Sequence, residues 1–372
     1  MKKVIAAGHI CIDITPVFPG KKQENVSDLL QPGKLINMGA VDVHTGGAVA
    51  NTGLAMKLLG ADVSLMGKIG TDEFGDMICT ILKKYDAAEG MIRAEGESTS
   101  YSVVLAIPGI DRIFLHNPGA NNTFCAEDVP EQALRQAAHF HFGYPPLMRS
   151  MYEEGGTNLV SLLRKVKACG CSTSLDLAAV DPASEAGAKD WKAILTRVIP
   201  YVDFFVPSIE ELCYMLDRER FDAWQERAAG GDITEILDVE KDIRPLAEEC
   251  MALGCKVLLL KCGTPGMYLC TASADRLAEL QGLRLELDPE KWADRRIFER
   301  SYVPEKVVSG TGCGDTSIAA FLTAMLEGCS AEESLQLAAA TGASCVAAID
   351  ALSGLKPLSE LREKIAAGWE KM

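Results

Sequence analysis

The sequence predicts an α/β fold in which helices cover both faces of a mostly parallel sheet. Short apolar runs alternate with longer helical patterns, as in the strand at 2–7, the helix at 50–59 and the strand at 63–67. The alternation returns between residues 140 and 261. Because parallel strands are joined by crossovers that lie on the faces of the sheet, we expect a three-layer α/β/α sandwich.

The expected elements follow one another along the chain. After a helix at 75–85 come strands at 140–143, 172–177, 204–207 and 257–261, and helices that span 159–168, begin at Glu210 and end near Leu253. The polar segment at 217–242 and the irregular segment at 282–305 interrupt this order. We predict that both are surface insertions.

Two further stretches, at 15–45 and 98–119, break the alternation differently. In the second stretch, apolar runs at 101–107 and 112–116 flank Pro108-Gly109, which is the pattern of a β-hairpin. Because these strands are inserted between α/β units, we expect a small sheet that projects from the main body. Such an appendage suits a lid or a dimer contact.

Composition limits the class of protein. The 372 residues are 48% hydrophobic and 24% charged, and no segment approaches the roughly 18 to 20 unbroken apolar residues of a membrane helix. A formal net charge of -15 argues against a nucleic-acid partner, since such binding depends on lysine and arginine. Residues 1–8 are too short an apolar run for a signal peptide, so we expect a cytoplasmic protein with no membrane partner.

The cysteines support the same compartment. There are thirteen, an odd number, and many lie inside apolar runs, which favours reduced core thiols over disulfides. Cys169 and Cys171 form the only close pair, and no second pair or histidine cluster follows at zinc spacing. The sequence therefore predicts no structural metal.

The most informative segment is 307–321, in which an apolar strand end runs into three glycines within five residues and then into a helix. Glycines allow backbone N–H groups to approach an anion, and the helix N-terminus adds partial positive charge. The segment lacks the Gly-Lys-Ser/Thr of a Walker loop and the Gly-x-Gly-x-x-Gly of dinucleotide folds. It predicts a phosphate site of another kind.

Asp315 lies in the first turn of that helix, beside the predicted anion site. There a carboxylate can accept the proton of an attacking hydroxyl while backbone amides stabilise a transferred phosphoryl group. The alternative is that Asp315 only caps the helix. This segment alone leaves both interpretations open.

At this point the sequence resembles the ribokinase-like (PfkB) family of carbohydrate kinases. The family's C-terminal motif, Asp-Thr-x-Gly-Ala-Gly-Asp, is similar to Ser309-Gly-Thr-Gly-Cys-Gly-Asp315. The resemblance implies a ribokinase-like fold, Asp315 as the catalytic base, and an anion hole formed by Gly312, Cys313 and Gly314. It extends in the family's order from Gly8 to about Gly342.

The N-terminal half carries the substrate side of the resemblance. Gly46-Gly47-Ala-Val-Ala-Asn51 is similar to the family's Gly-Gly-x-x-x-Asn segment, which implies that Gly46, Gly47 and Asn51 face the substrate hydroxyls. Asp13 stands where the family has a substrate aspartate, and a carboxylate that accepts hydroxyl protons suits a sugar site. Without the resemblance, Asp13 reads as a turn residue, because Asp-Ile-Thr-Pro is a good turn.

Two segments resemble the family's nucleotide side, with ATP and Mg²⁺ as the implied cofactors. Ser208 and Glu211 match the Asn-x-x-Glu segment, in which the glutamate organises magnesium; a plain helix-start carboxylate is the alternative. The strand and turn that contain Lys261, Gly263 and Gly266 match the border of the ATP site.

Departures from the family pattern accompany these matches. Ser309 replaces an acidic residue that helps to bind a monovalent cation in some members, which puts potassium activation in doubt. Ser208 replaces asparagine, which weakens the case for a standard magnesium network.

By resemblance, residues 119–122 and 142–146 lie near the substrate, although loops after strands are their plain interpretation. His44, His116 and His141 read as structural histidines or substrate contacts.

The sequence thus predicts one kinase domain over residues 1–372, with a lid formed by about 15–45 and 98–117. The expected reaction is ATP-dependent phosphorylation of an alcohol on a sugar or sugar-like substrate. A nucleoside kinase of the same fold and a non-catalytic sugar-binding sensor are the alternatives. The lid also offers a contact for a homodimer.

Overall fold

The computed structural model describes residues 2–20, 22–110, 112–348 and 350–372. Within this part of the chain there are thirteen strands in two sheets. The strands are β1 Lys3–Gly8, β2 Cys11–Pro16, β3 Val41–Gly46, β4 Asp62–Gly70, β5 Met91–Ala94, β6 Tyr101–Leu105, β7 Ile113–Asn117, β8 His139–Gly143, β9 Ser172–Asp176, β10 Phe204–Phe205, β11 Val257–Lys261, β12 Gly266–Thr271 and β13 Arg296–Arg300.

Nine strands form the main sheet, in the order β13-β12-β11-β10-β9-β8-β1-β4-β5. The pairs from β11 through β5 are parallel, whereas β12 runs antiparallel to both β11 and β13. This arrangement confirms the predicted mostly parallel sheet. All residues of β8 and β9 are buried, as expected for strands covered on both faces.

Helices cover this sheet. They are α1 Val26–Leu29, α2 Ala48–Leu58, α3 Glu73–Lys83, α4 Glu131–Gln136, α5 Arg149–Tyr152, α6 Thr157–Ala168, α7 Trp191–Val198, α8 Ile209–Leu216, α9 Arg218–Ala228, α10 Arg244–Ala252, α11 Ala274–Leu277, α12 Pro289–Trp292, α13 Cys313–Leu326, α14 Ala331–Cys345 and α15 Leu358–Ala366. Helix α2 packs on β1, β4 and α13, while α6 packs on β9 and α10 on β11. Phe140 and Phe142 of β8 are fully buried, and burial of each such ring contributes roughly 1.5–3 kcal/mol.

The small sheet has the order β3-β2-β6-β7. β2 pairs antiparallel with β3 and parallel with β6, and β6 and β7 form the predicted hairpin. Only His9 and Ile10 separate β1 of the main sheet from β2 of the small one. The small sheet therefore continues directly from the core.

Both predicted surface insertions are wrong in part. Within 282–305, the strand Arg296–Arg300 forms the edge of the main sheet by pairing with β12. Within 217–242, helix Arg218–Ala228 buries Trp224, whose indole N–H donates to Asp242 over 3.1 Å. Charged residues at solvent-facing positions of both elements obscured these periodic patterns in the sequence.

A helix that crosses a bilayer must be both long and apolar. Among the described residues, no helix combines the length and the apolar character needed to cross a bilayer.

Candidate active site

The glycine-rich segment leads directly into α13. Gly312, the residue before the helix, has φ 70°, and a Cβ added there would overlap the Cβ of Ala351. Only glycine fits both the left-handed backbone and the space. The turn therefore brings the first backbone N–H groups of α13 to the surface of a cavity, where they can bind an anion.

Asp315 lies in the first turn of α13 and is 5% exposed. Its Oδ2 accepts a hydrogen bond from Asn51 Nδ2 at 3.0 Å. Its Oδ1 accepts hydrogen bonds from Thr52 Oγ1 at 3.2 Å and from the hydroxyl of Tyr144 at 2.7 Å. The carboxylate is thus held by three donors rather than buried against apolar core, and this arrangement fixes its orientation.

The start of α2 supplies two of these donors. Gly47 precedes the helix with φ 84°, and a Cβ there would clash with the backbone oxygen of His9. That oxygen also accepts the backbone N–H of Val49 at 3.1 Å. The tight approach of α2 to the end of β1 therefore places Asn51 and Thr52 beside α13.

A cavity of about 290 Å³, here called the central cavity, lies beside Asp315. Its lining residues come from the carboxyl ends of β8, β9 and β11 and from the starts of α8 and α13. They are Tyr144, Asp176, Ser208, Glu210, Glu211, Lys261, Gly263, Gly312, Gly314 and Asp315. This edge of a parallel sheet is where ligands commonly bind in open α/β folds.

Asp176 and Lys261 form a buried ion pair in the central cavity. The two groups are 2.8 Å apart, between Lys261 Nζ and Asp176 Oδ1. Burial raises the pKa of Asp176, and the ammonium of Lys261 opposes this shift. Its Oδ2 finds no hydrogen-bond partner among the described residues. A buried carboxylate oxygen without a partner, facing a cavity, is a suitable ligand for a hard cation such as Mg²⁺.

Ser208 and Glu211 also line the central cavity, but their side chains are engaged locally. Glu211 Oε2 accepts the backbone N–H of Ser208 at 2.8 Å, and Ser208 Oγ accepts the backbone N–H of Glu211 at 3.2 Å. This capping box is the helix-start role considered as the alternative for Glu211. It holds one carboxylate oxygen of Glu211 and leaves the residue at the edge of the cavity.

An apolar cavity of about 380 Å³ adjoins the central cavity and shares Lys261, Gly263 and Gly314 with it. Gly266 and Cys313 also line it, as do apolar residues of α14 such as Ala339. Burial raises the pKa of the Cys313 thiol to about 12, so this side chain is a neutral thiol. The pocket suits a flat apolar group attached to an anion in the central cavity.

A third cavity, of about 400 Å³, lies under the small sheet and is called the sheet cavity. Asp13, His44 and Arg112 line it together with residues 308–311, and it shares Gly310 with the apolar cavity. Burial raises the pKa of Asp13. A Cβ on Gly46 would overlap the carboxylate of Asp13, so this glycine leaves the room that Asp13 occupies.

The predicted site residues thus fall into adjoining groups. Asp315, Gly312 and Gly314 meet Ser208, Glu211, Lys261 and Gly263 around the central cavity, whereas Asp13 lines the sheet cavity and Gly46 lies against its carboxylate. Asn51 contacts Asp315, and Gly47 lies against His9. Gly266 and Cys313 belong to the apolar cavity.

Sequence reasoning missed Asp176 and Thr52, and it placed Tyr144 near the substrate only as part of the segment 142–146. Asp176 ends β9 and Tyr144 follows β8, so each stands at the carboxyl end of a predicted parallel strand. That position was the signal that could have found both. Thr52 carried no comparable signal, since it is one of several small residues in α2.

The remaining candidates have simpler environments. His44 Nε2 lies 4.0 Å from Asp13 Oδ2, and His116 Nε2 lies 3.3 Å from His9 Nε2. His141 is buried in β8 with its Nδ1 2.8 Å from Ser174 Oγ, which is a structural environment. In the segment 119–122, Asn121 bonds to both the backbone N–H and the backbone oxygen of Ile10.

The fold and the cavities beside Asp315 together describe a protein that binds small molecules. A family model described as "pfkB family carbohydrate kinase" matches residues 1–356, and the chain therefore belongs to that family. This match confirms the resemblance noted in the sequence, and with it the assignment as a carbohydrate kinase.

Individual relatives agree with this family. An uncharacterized sugar kinase of Archaeoglobus fulgidus is 24% identical over 303 residues, which cover 81% of this chain and 98% of the relative. Fructokinase-1 of Zea mays is 28% identical over 143 residues, which cover 38% of this chain and 41% of the relative.

Solved structures give the same fold. A ribokinase of Arabidopsis thaliana complexed with ribose and ATP matches with a TM-score of 0.68 and 20% identity, over 97% of this chain and 98% of that one. A putative ribokinase II from E. coli in complex with ATP and Mg²⁺ matches with a TM-score of 0.68 and 22% identity, over 99% and 100% of the two chains. At this level of identity the likeness establishes the ribokinase-like fold.

Proposed function

We propose that this carbohydrate kinase transfers the γ-phosphoryl group of ATP to an alcohol of a sugar, with Asp315 as the base. The observation that carries the proposal is the position of Asp315, whose carboxylate lies in the first turn of α13 at the wall of the central cavity. A base beside a helix N-terminus can take a proton where the helix stabilises a phosphoryl group.

The chemical step uses the carboxylate of Asp315 and the backbone N–H groups at the start of α13. The substrate alcohol gives its proton to Asp315 while its oxygen forms a bond to the γ-phosphorus, and the bond from that phosphorus to the leaving ADP oxygen breaks. Backbone N–H groups of residues 312–314 donate to the migrating phosphoryl oxygens. Alignment of the alcohol with the γ-phosphoryl group by the cavities that bind the sugar and the phosphates supplies much of the rate enhancement.

The sheet cavity is proposed as the sugar site. Its support is the carboxylate of Asp13, which burial and Gly46 hold at the cavity wall, since sugar hydroxyls donate well to a carboxylate. Asn51, which the family resemblance places at the substrate hydroxyls, donates to Asp315 over 3.0 Å. Gly47 allows α2 to approach closely enough for that bond to form.

The apolar cavity is proposed as the nucleotide-base site, with the phosphates in the central cavity. Lys261 lies between the two cavities and can neutralise phosphate charge. Gly263 and Gly266 have no side chains to block the border of the nucleotide site. Ser208 lines the central cavity, where the phosphates are proposed to bind. Asp176 and Glu211 are the residues that would hold Mg²⁺, which would supply charge neutralisation of the phosphates.

We extend the proposal to the whole chain. Residues 1–372 act as one kinase domain, and the small sheet serves as a lid that excludes water and as a contact for a second copy. Apolar side chains that are about half exposed on the small sheet, Val41, Phe114 and Leu115, support such a contact. A cytoplasmic location is supported by the thirteen free thiols. Ser309, at the position of the acidic cation ligand of some family members, puts activation by a monovalent cation in doubt.

The test is a coupled assay of ADP release with hexoses, pentoses, sugar acids, inositols and nucleosides. We expect turnover with a sugar, and Asp315→Asn should lower kcat by about 10²- to 10⁴-fold while sugar and ATP still bind. Asp190→Asn, at the start of α7, is the matched control and should retain kcat. Turnover confined to nucleosides would redirect the proposal to a nucleoside kinase, and binding without ADP release would indicate a sensor.

A further inference from the structure

Tyr144 has an unfavourable backbone conformation directly after β8. Its φ of 66° and ψ of 44° lie in the left-handed region, which residues other than glycine and asparagine rarely adopt. Pro145 follows, and a residue before proline is restricted further toward extended conformations. A tyrosine that carries such strain at the wall of a site indicates a role for its side chain.

The side chain reaches the base. The Tyr144 hydroxyl donates to Asp315 Oδ1 at 2.7 Å, and the Thr52 hydroxyl donates to the same oxygen at 3.2 Å. The other carboxylate oxygen, Oδ2, accepts one bond, from Asn51 Nδ2 at 3.0 Å. Two donors therefore occupy Oδ1, while Oδ2 retains capacity to accept a further proton.

We propose that Tyr144 is a positioning residue that, together with Thr52, holds Oδ1 of Asp315 so that Oδ2 receives the proton of the substrate alcohol. The inference rests on the proposed function of Asp315 as the base. The proton moves from the alcohol oxygen to Oδ2 as the oxygen–phosphorus bond forms, and the phenol keeps its own proton throughout.

The surroundings of the phenol keep it a donor. Burial and then the charges of Asp315 and Asp176 raise the pKa of Tyr144 well above its ordinary value, and the carboxylate of Glu211 adds to this effect. Lys261 pairs with Asp176 on the far side of the cavity, and the His9 ring lies 6.2 Å from the phenol ring. None of these groups offers the phenol an acceptor as close as Asp315 among the described contacts.

Tyr144→Phe tests the inference because it keeps the ring and the backbone strain and removes only the hydroxyl. We expect kcat to fall about 10- to 100-fold, the loss of one hydrogen bond to a charged group, with both KM values unchanged within about twofold. The acid limb of the kcat profile should move to higher pH, because the lost donor had favoured the charged carboxylate. Tyr152→Phe is the control, since Tyr152 packs edge-to-face against Trp191 and lines none of the three cavities.

Thr52→Val removes the second donor with little change in shape and should move the acid limb in the same direction. The double variant should lose less than the product of the single losses, because both hydroxyls act on one oxygen. If Tyr144→Phe fails to fold in a thermal melt, the shift in Thr52→Val decides the question, and an unshifted limb there overturns the inference.

Other outcomes separate this inference from the proposed function. Normal kcat and an unmoved acid limb in Tyr144→Phe would overturn the role of the phenol. A raised sugar KM with unchanged kcat would also overturn it, because the phenol would then bind substrate. Activity in Asp315→Asn would instead refute the base itself, whereas an inactive Asp315→Asn beside a normal Tyr144→Phe would refute only the positioning role.

Discussion

Lys261 Nζ lies 2.8 Å from Asp176 Oδ1, and the side chains of the two residues are 12% and 1% exposed. The pair stands at the carboxyl ends of β11 and β9. Both residues line the central cavity, and Lys261 also lines the apolar cavity. A buried ion pair of this kind costs free energy to desolvate, so its stabilising effect depends on both partners being present.

Lys261→Met should lower the free energy of unfolding by about 3 kcal/mol, because it leaves the Asp176 carboxylate buried without its partner. Adding Asp176→Asn to this variant should recover part of the loss. Urea denaturation measures both. Lys192→Met is the control, since the exposed Lys192–Glu249 pair contributes less than about 1 kcal/mol. Equal losses in the two lysine variants would contradict the argument.

Gly312→Ala should abolish most turnover, because a Cβ there would overlap Ala351 and the backbone must remain left-handed. Displacing the anion-binding N–H groups is expected to reduce kcat by about 10²-fold or more. Gly328→Ala offers a matched control at the other end of α13. Gly328 also has a positive φ, of 86°, but open space around it. It should lose only about 1 kcal/mol of stability and keep its kcat.

Gly46→Ala should affect the proposed sugar site alone. The added Cβ would displace the Asp13 carboxylate, so we expect the KM for sugar to rise about tenfold or more while the KM for ATP stays constant. Steady-state kinetics with each substrate varied in turn measure this separation. Asp13→Asn should show the same pattern, and a change in the KM for ATP in either variant would count against the sheet cavity as the sugar site.

His139 should make the fold sensitive to acid. Burial lowers its pKa from 6.5 to about 3. Between these two pH values the imidazole is protonated in the unfolded chain but remains neutral in the folded chain. Stability therefore falls as pH decreases from 6.5 toward 3, by on the order of 3 kcal/mol at pH 4 for this group. His139→Gln should reduce the slope of unfolding free energy against pH between 7 and 4.5. An unchanged slope would refute this attribution.

Much of the fold could be predicted because its signals are local. The alternation of apolar runs and helical patterns identified β8, β9 and β11, and the glycines before Asp315 identified the start of α13. The edge strand Arg296–Arg300 was not predicted, because its two arginines and Glu299 give it the composition of a loop. Pairing with β12 makes this segment a strand.

The site was harder to predict where residues meet only in three dimensions. Asp176 and Tyr144 are 32 positions apart, and their proximity depends on β8 and β9 being neighbours, with Tyr144 N–H donating to the Asp176 backbone oxygen. Glu211 was matched to the family by sequence, but only the structure shows that one of its oxygens is engaged in a capping box. Whether a carboxylate accepts from the backbone of its own helix start or binds a ligand cannot be predicted from the spacing of residues in the sequence.

The two-residue connection between the sheets has a mechanical consequence. His9 lies in that connection, and its backbone oxygen holds the N-terminal end of α2 through Val49. Any rocking of the small sheet about this hinge would pull on the same helix that presents Asn51 and Thr52. If the small sheet acts as the proposed lid, its opening would at the same time loosen the hydrogen bonds that Asn51 and Thr52 donate to Asp315, and the open form would be inactive.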